Sequence, residues 1–450
     1  MKFKTQLILI LILCISTLLF GVFTSYGQSY TQNENVKQLS LEEALTLAGA
    51  KNKWIDIDKT EELAAQAEKK DARLMALPQF EAKASYLRYS NLSVYEDGLG
   101  GRSSAPRYPT LNEASLGLEG IFNVYSGGRI KAIQEQQSVK TNIASLNVKE
   151  RSGSIKLQAA SYYLGLIRLY DLKRFTADQL KRAELRLKNI KTLYKNQKVT
   201  KSDVLRAEVM LSNVQLDLAS TGNDIRISGQ KLAVLLNLPQ STLILPKDSA
   251  AMIKPSADEL EALVKTKGEG AFNILRSDQS IALNQSILKL TRSYNMPTLN
   301  LVTAYGFNYP NFLFKPAVDQ MYAIGFVGIK AQYSISSLYQ NKHKVAAVKW
   351  RLNRAEKEKE AQLDDKLQEI ESYYIKYSEA LNRIGVNQKS IQQAKSNYEI
   401  MSTKYFNQLA LLTDLLDADN LFQGSRFNLV NSQVEAMMIY YRMLYSTGRL

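Results

Sequence analysis

The sequence predicts a mixed α+β membrane protein in which one structural unit occurs twice. Three observations carry this prediction: pairs of segments with strand-like alternation, long proline-free stretches that repeat apolar residues every seven positions, and a match between the two halves at a constant offset. Alternation with period two indicates strands, whereas a seven-residue period indicates helices packed in coiled-coil fashion. Hydrophobic residues make up 45% of the 450 positions, which is enough for a large core and excludes global disorder.

The first unit begins with a helix predicted over Leu41 to Ala76. Ser40 is a candidate N-cap, and Glu43 stands at the capping-box spacing from it. Pro78 ends this helix, because the residue before a proline avoids helical backbone. Two strands follow, each with its apolar residues on one face: Phe80, Ala82, Ala84 and Tyr86 in the first, and Ala114, Leu116, Leu118, Phe122 and Val124 in the second.

The second unit repeats the strand pattern. Its first strand places Leu299, Leu301, Tyr305 and Phe307 on one face. The next segment, Tyr322 to Ser334, alternates less clearly, because Ile324 and Phe326 share a face with Lys330 and Gln332. Strands of about 10 to 14 residues with one apolar face suit a tilted membrane strand. A soluble, half-buried sheet is the alternative.

Long helices follow each strand pair. Gly127 to Gln197 contains no proline and would span ~105 Å as one helix. Apolar residues repeat every seven positions at Ile155, Tyr162 and Leu169, in the following helix at Val204, Leu211, Leu218, Ile225 and Leu232, and in the second half at Leu415, Phe422, Leu429, Ala436 and Met443. This period indicates under-wound helices that pack side by side.

An internal duplication relates the halves at an offset of 211 positions. Between Tyr194–Ala207 and Tyr405–Ala418, six of 14 residues are identical without a gap. Matched Tyr, Asn, Gln and Asp at one offset are not explained by composition alone. An offset of 219 pairs Pro78 with Pro297, so the first half carries a longer loop, around Glu96 to Gly101. We predict a first repeat over 28–236, a linker over 237–256 and a second repeat over 257–450.

The N-terminus has the pattern of a secretory signal peptide, predicted over residues 1–27. Lys2 and Lys4 precede an apolar run from Leu7 to Phe20, and small residues up to Gly27 follow, where we expect cleavage. The alternative is a single membrane anchor, but the run of about 14 residues is shorter than the ~20 that a spanning helix needs. The mature chain would keep a net charge of +13, which is +15 less Lys2 and Lys4.

The residue inventory argues against an enzyme and against a cofactor or metal site. The chain has one cysteine, Cys14, and one histidine, His343. A disulfide, a zinc or haem site and a cysteine–histidine pair are therefore improbable. His343 matches Ala132 in the first half, and we expect it at a polar core position. The basic balance does not indicate nucleic acid in an exported protein.

Basic residues concentrate in one stretch. From Gly127 to Met210 there are 18 Lys or Arg against 7 Asp or Glu. A solvated helix face is one interpretation, and contact with an anionic cell-wall polymer or an acidic partner surface is the other.

The predicted strands require more than one copy of the chain. Four strands cannot close a transmembrane barrel, since the smallest have ~8. Open sheet edges are not tolerated in lipid. The sequence therefore predicts an oligomer that completes its barrel jointly.

The ordered motifs resemble those of the TolC family of outer-membrane efflux and secretion channels. Leu39 to Leu45 is similar to the family's opening segment, and Leu77-Pro78 and Met296-Pro297 resemble its helix-to-strand turns. Phe122 to Arg129 resembles a strand-to-helix turn with a Gly-Gly pair, whereas Ser336 to Tyr339 replaces that pair in the second half. The duplicated Tyr-x-Asn-Gln and Asp-x-Leu-x-Ala segments resemble the helix–turn–helix tips.

The resemblance implies a trimeric TolC-like tube, with four β-strands per chain in a shared 12-stranded outer-membrane barrel and a long α-helical periplasmic barrel. It implies a passive export duct in a tripartite efflux pump or a type I secretion system. The implied partners are two further copies of the chain, a periplasmic adaptor (membrane fusion) protein, an inner-membrane RND or ABC transporter, and outer-membrane lipid. The alternative is an exported structural coiled-coil protein without a pore.

Two groups of site residues follow from the resemblance. Asp414 and Asp417 match an acidic pair at the periplasmic entrance, where three chains would form a cation-attracting ring; a simple helix N-terminal charge is the alternative for Asp414. In the first half Asp203 is retained but Arg206 replaces the second aspartate. The expected adaptor-docking tips are Asn196, Gln197, Lys198 and Val199, and Asn407, Gln408, Leu409 and Leu412. The alternative for the second tip is that Leu411 and Leu412 pack between helices of the same barrel.

The sequence also predicts which residue of each tip has left-handed backbone. The family often has glycine where this chain has Gln197 and Gln408. Because a side chain disfavours left-handed backbone, we expect the turn to shift to Asn196 and Asn407, which tolerate that conformation better.

Overall fold

A computed structural model describes residues 36–90, 94–95, 98, 102–103, 110–250, 257–266 and 268–450. The predicted signal peptide, most of the loop around Gly98 and the end of the predicted linker, 251–256, lie outside the described residues. Within the described part, no helix combines the length and the apolar character that a bilayer crossing requires.

In its described residues, the first half contains four helices and six strands. In chain order they are β1 (Val36–Leu39), α1 (Leu41–Lys51), α2 (Lys53–Leu74), β2 (Gln79–Arg88), β3 (Val94–Tyr95), β4 (Arg102–Ser103), β5 (Asn112–Tyr125), α3 (Arg129–Lys195), α4 (Lys201–Leu235) and β6 (Leu243–Pro246).

The second half repeats the main elements. They are α5 (Ala257–Lys265), α6 (Phe272–Ser293), β7 (Thr298–Tyr309), β8 (Tyr322–Gln332), α7 (Ser337–Gln340), α8 (Lys342–Phe406) and α9 (Leu412–Ser446). Helices α4 and α9 are each 35 residues long and begin 211 positions apart. Helices α3 and α8, of 67 and 65 residues, end at the same offset.

The helix predicted over Leu41 to Ala76 is broken at Asn52, so that prediction is wrong in one respect. Asn52 has extended backbone and separates α1 from α2. Its Oδ1 accepts a hydrogen bond from the Trp54 amide at 2.9 Å, and its Nδ2 donates to the Leu235 carbonyl at 2.8 Å. Asn52 therefore caps α2 and ties its start to the end of α4. The capping box of Ser40 and Glu43 is present as predicted.

The Gly-Gly pair makes the first strand-to-helix turn. Gly127 and Gly128 both have left-handed backbone, with φ of 65° and 82°. A Cβ on Gly127 would lie 2.5 Å from the Cβ of Met296, so the position excludes a side chain as well. In the second half the short helix α7 makes this turn instead.

One antiparallel sheet joins strands from both halves in the order β2-β5-β7-β8. Its register aligns Ala82, Leu118, Tyr305 and Gly325 across one face and Glu81, Glu119, Ala304 and Phe326 across the other. The first face is largely apolar and the second is more polar. Ile324 and Phe326 are the predicted apolar residues of the second face, and Ile121 and Val302 lie on it as well. Among the described strands, β2 and β8 each leave one edge of this sheet unpaired.

The long helices form a single layer whose members change along its length. Next to the sheet the order is α2-α3-α6-α8, and farther away it is α4-α3-α9-α8. Helix α3 is ~100 Å long and runs through both parts. The residues predicted at seven-residue spacing are all buried or half-buried. One side of the layer therefore ends in α2 and α4, and the other side ends in α8.

Two apolar cores hold the layer together. The larger lies midway, where Leu39, Tyr163, Leu232 and Met443 are among the most buried residues. The smaller lies at the end farthest from the sheet, between the two helix–turn–helix tips. The tips are thus packed against each other within one chain.

Candidate functional site

The first tip turns at Gln197, which corrects the expectation of a left-handed Asn196. Gln197 has φ of 56°, whereas Asn196 has φ of −88°. The Gln197 amide donates to the Tyr194 carbonyl and the Lys198 amide to the Leu193 carbonyl, each at 2.9 Å. These two bonds define a Schellman motif, whose geometry places the left-handed residue one position after the helix cap. The hydrogen bonds outweigh the preference of asparagine for this conformation.

The second tip has the same geometry at the offset of 211. Gln408 has φ of 63° and Asn407 has φ of −92°, so the expectation for Asn407 is also wrong. The Gln408 amide donates to the Tyr405 carbonyl at 2.9 Å, and the Leu409 amide donates to the Lys404 carbonyl at 2.8 Å. Two matching turns therefore close the two long hairpins.

The tips differ in how the next helix begins. Thr200 and Asp203 form a complete capping box, with the Asp203 amide donating to Thr200 Oγ1 at 3.2 Å and the Thr200 amide donating to Asp203 Oδ2 at 2.9 Å. In the second tip Leu411 has no side-chain acceptor, and only the Leu411 amide bond to Asp414 Oδ2 remains, at 3.1 Å. Asp414 therefore contributes to the N-terminal cap of α9.

Leu412 belongs to the tip core and is not exposed, although it was expected in the docking surface. Its side chain is 3% exposed and packs with Ile190, Val204, Tyr405 and Leu415. The reason is helical position: Leu412 begins the buried stripe of α9 that Leu415, Leu416 and Asp419 continue.

The exposed apolar side chains of the second tip are Leu409 and Leu411. They are 75% and 70% exposed, which is unusual for leucine in a tight turn. At the same positions the first tip has Lys198 and Thr200, which are also exposed, and Val199 is half-buried against the tip core. The two tips thus present different chemistry at one end of the protein, basic on one and apolar on the other.

Asp414 and Asp417 lie one helical turn apart on an exposed face of α9. Asp414 caps its own helix, as described above. In the described residues Asp417 makes no side-chain hydrogen bond or ion pair. Both carboxylates are exposed to solvent, although one oxygen of Asp414 accepts the Leu411 amide, whereas the opposite face of α9 packs in the core.

A buried charge cluster beside this face was not predicted. Asp419 is fully buried and accepts hydrogen bonds from two arginines of α3: from Arg182 Nε at 3.0 Å and from Arg186 Nη2 at 2.6 Å. The Arg186 side chain is 5% exposed. A buried carboxylate with two charged donors is held firmly, because each partner would otherwise be an unpaired charge in the interior.

Aromatic rings surround the cluster. The Arg182 guanidinium carbon lies 5.6 Å from the ring centroids of both Tyr398 and Phe422, which stack at 6.2 Å. One turn further along α9, Arg426 lies 4.0 Å from the Phe175 centroid and pairs with Asp178 at 3.1 Å. Helices α3, α8 and α9 are therefore joined by charges and rings near the tip.

The sequence contained one signal for this cluster. Asp419 falls seven residues after Leu412 and four after Leu415, at a position where the apolar stripe of α9 continues. A carboxylate in such a position must be paired. Its partners could not be identified, since Arg182 and Arg186 lie 237 and 233 residues away in the chain.

Tyr405 is a buried titratable residue of the tip core. Burial, together with the Asp203 carboxylate, raises the pKa of its phenol to about 12, although Arg186 opposes the shift. Within the described part of the chain its hydroxyl has no hydrogen-bond partner. Tyr405 is therefore neutral at physiological pH.

His343 is exposed, so the expectation of a core position for it is wrong. It lies in the first turn of α8. Across the described residues, no group of three His, Cys, Asp or Glu is placed to hold a metal ion.

Comparisons with known proteins identify the fold of the chain. No family model matches the sequence, and no curated protein matches it. Solved structures do match. The outer membrane protein VceC from the bacterial pathogen Vibrio cholerae is similar with a TM-score of 0.74 and 17% identity, covering 91% of this chain and 96% of that one.

Two further structures agree with this similarity. The outer-membrane channel OprN has a TM-score of 0.76 at 16% identity and covers 91% of this chain and 90% of its own. The open state of the Neisseria gonorrhoeae MtrE outer membrane channel has a TM-score of 0.71 at 14% identity, covering 91% and 88%. The chain therefore has the fold of TolC-like outer-membrane channels, and at these identities the likeness concerns the fold alone.

Proposed function

We propose that this chain is one third of a homotrimeric outer-membrane channel, the exit duct of a tripartite efflux pump or type I secretion system. The four strands of each copy would join a shared 12-stranded barrel in outer-membrane lipid, and the helices would extend the tube into the periplasm. A periplasmic adaptor protein and an inner-membrane transporter, of RND or ABC type, would meet the tips. Conduction is passive, and the chain catalyses no reaction.

The incomplete sheet is the observation that carries this proposal. Every residue of β2 is exposed, and nearly every residue of β8, so one copy covers neither face of its sheet. Its largely apolar face would meet lipid, and its more polar face, with the Lys83–Glu119 ion pair, would line the duct. The unpaired edges of β2 and β8 would pair between copies, which removes every open edge.

The helix layer supports the same assembly, because both of its sides carry exposed apolar residues. The side formed by α2 and α4 exposes Trp54, Leu63, Val209, Leu216 and Val234, and the opposite side, formed by α8, exposes Trp350, Ile375, Val386 and Ile400. Apolar surface on both sides of one layer fits a heterologous contact that closes into a ring.

The exposed apolar residues of the two sides also lie at matching distances from the tips. Val209 lies eight residues after the start of α4 and Ile400 six before the end of α8, so both lie ~10 Å from the tips. Val234 and Ile375 are each about 30 residues from the tips, and Leu74 and Trp350 both lie near the sheet. The α8 of one copy would therefore pack along α4 and α2 of the next.

Cysteine cross-linking tests this interface. Cys14, the one native cysteine, lies in the predicted signal peptide, so Val209→Cys/Ile400→Cys would carry the only thiols of the mature chain. Under oxidation we expect disulfide-linked dimers and trimers on a non-reducing gel, which collapse to monomer with reductant.

The matched control is Val209→Cys/Trp350→Cys, whose second cysteine is shifted ~75 Å along α8. It should not cross-link. Equal cross-linking of both pairs, or none of either, would contradict the proposed packing of α8 against the next copy.

The tips are the proposed docking surface for the adaptor. Both hairpins end at the extremity farthest from the sheet, which is where a periplasmic partner could reach. Around a trimer, three basic turns with Lys198 would alternate with three apolar turns carrying Leu409 and Leu411. We propose that the polar side chains of Asn196, Gln197, Asn407 and Gln408 surround this surface, together with the half-buried Val199.

Charge introduced at the second tip should abolish export. Leu409→Glu/Leu411→Glu replaces two exposed side chains, so we expect trimer assembly and outer-membrane insertion to be unchanged. Export measured in cells should fall to the level of a deletion strain, because a carboxylate would replace each of the two apolar side chains proposed to contact the adaptor.

Leu185→Glu is the control, since Leu185 is 60% exposed on α3 away from the turns. This variant should export normally. Normal export by the Leu409/Leu411 variant would exclude the second tip as the docking surface. Leu412→Glu is unsuitable for this test because its side chain is buried.

A further inference from the structure

A cavity of about 410 Å³ lies between α3, α4 and α9 on the sheet side of the charge cluster. Its polar lining comes from Thr176 and Gln179 of α3, Asp217 of α4, and Asn420 and Gln423 of α9. A Cβ at Gly424 would meet no atom within 4 Å, so a larger side chain there would extend into open space. The volume lies in the range that small ligands occupy, and one chain supplies every wall.

Several polar groups in this cavity have no partner in the described part of the protein. Gln179 is 9% exposed, and its carboxamide makes no hydrogen bond. The Nε2 of Gln423 is buried without an acceptor, although its Oε1 accepts a bond from Arg182 at 3.4 Å. Thr176 is 5% exposed, and its hydroxyl makes no hydrogen bond. Gln423 Nε2 is thus a fully buried donor without an acceptor, whereas the polar groups of Gln179 and Thr176 line the cavity without a protein partner. Buried polar groups are normally paired, so these groups are available to a ligand in the cavity.

The chemistry of these groups defines the ligand. The buried groups are neutral, and carboxamides and hydroxyls both donate and accept. Two guanidiniums lie close by, because Arg182 bonds to Gln423 and Arg426 lies over Phe175, which also lines the cavity. Each of them is already paired with a carboxylate, Arg182 with Asp419 and Arg426 with Asp178. The one charged residue of the lining, Asp217, is exposed, so the enclosed part of the cavity carries no net charge. We infer that the cavity binds a neutral polyhydroxylated ligand of mono- or disaccharide size.

The position of the cavity relates it to the proposed duct. Asp417, Asn420, Gly424 and Phe427 follow one another at spacings of three or four, so they share one face of α9. If Asp417 faces the pore, as proposed above, the cavity is a saccharide subsite just inside the entrance. This placement rests on the proposed function, whereas binding itself does not.

Ligand binding to the detergent-purified protein tests the inference, with maltose as the probe. Saturation-transfer NMR should show saturable binding in the millimolar range. Gln179→Leu/Gln423→Leu should weaken it at least tenfold, because two buried hydrogen-bonding groups are lost. Gly424→Leu should abolish binding by filling the cavity, and the exposed Gln393→Leu should not change it.

No saturable maltose binding, or unchanged affinity in the double variant, would overturn the subsite. The subsite would also be overturned if the cation tetraphenylphosphonium bound instead of maltose and its binding required Asp217. In planar bilayers, maltose should reduce the current through the unmodified protein but not through Gly424→Leu. If maltose binds but the protein conducts no current, the proposed duct is refuted and the saccharide subsite is supported. If the protein conducts current but does not bind maltose, the subsite is refuted and the duct is supported.

Discussion

Replacing Asp419 with alanine should lower the free energy of opening of the tip region by about 3–5 kcal/mol. The substitution leaves Arg182 and Arg186 without the carboxylate that both contact, and Arg186 is 5% exposed. An uncompensated buried guanidinium accounts for most of the loss. Native-state hydrogen exchange of the purified protein, read at the amides of residues 400–420, measures the effect.

Two control variants distinguish the loss of the buried charge cluster from a general effect of substitution on α9. Asp417→Ala changes an exposed residue on the same helix and should shift the free energy by less than ~0.5 kcal/mol. Arg182→Met/Arg186→Met/Asp419→Leu removes all three charges and should recover most of the loss, because an apolar replacement leaves no unpaired ion. Equal exchange in the Asp419 and Asp417 variants would show that the buried cluster does not hold α9.

Neutralising the acidic pair should remove cation preference from the proposed channel. In a trimer, Asp414 and Asp417 would bring six carboxylates to one constriction, and such a ring attracts cations and repels anions. Asp414→Asn/Asp417→Asn keeps hydrogen-bond acceptors at the start of α9 and removes the charge. Reversal potentials in asymmetric salt should show a severalfold lower cation-to-anion permeability ratio, and single-channel conductance should rise.

Asp203→Asn is the matched control for the acidic pair. Asp203 lies at the corresponding position of the first tip, and its Oδ2 accepts the amide of the N-cap residue as that of Asp414 does, but Arg206 takes the place of a second aspartate. The control variant should keep the selectivity of the unmodified protein. If both variants retain it, Asp414 and Asp417 lie outside the constriction.

The parts of the fold that local pattern determines were predictable from the sequence. Strands β2, β5 and β7 follow from alternation, and Pro78 and Pro297 stand at the starts of β2 and β7. The long helices follow from their seven-residue repeats, and the unusual face of Ile324 and Phe326 follows from the period of two. These features depend on neighbours within a few residues.

The features that depend on distant contacts were missed or wrong. The break at Asn52 exists because Asn52 bonds to Leu235, 183 residues away. The turn at Gln197 follows from two backbone bonds of a Schellman motif, which outweigh residue preference. The exposure of Leu411 and the burial of Leu412 follow from how α9 packs against α3 and α8, and no spacing within the tip specified that rotation.

Electrical recording from planar bilayers tests the central claim most directly. Protein purified in detergent from outer membranes should produce discrete, stepwise increases of current, because the proposed trimeric tube would offer one continuous aqueous path. A folded, trimeric preparation that leaves the bilayer unpermeabilised would contradict the channel and favour an exported structural coiled-coil protein.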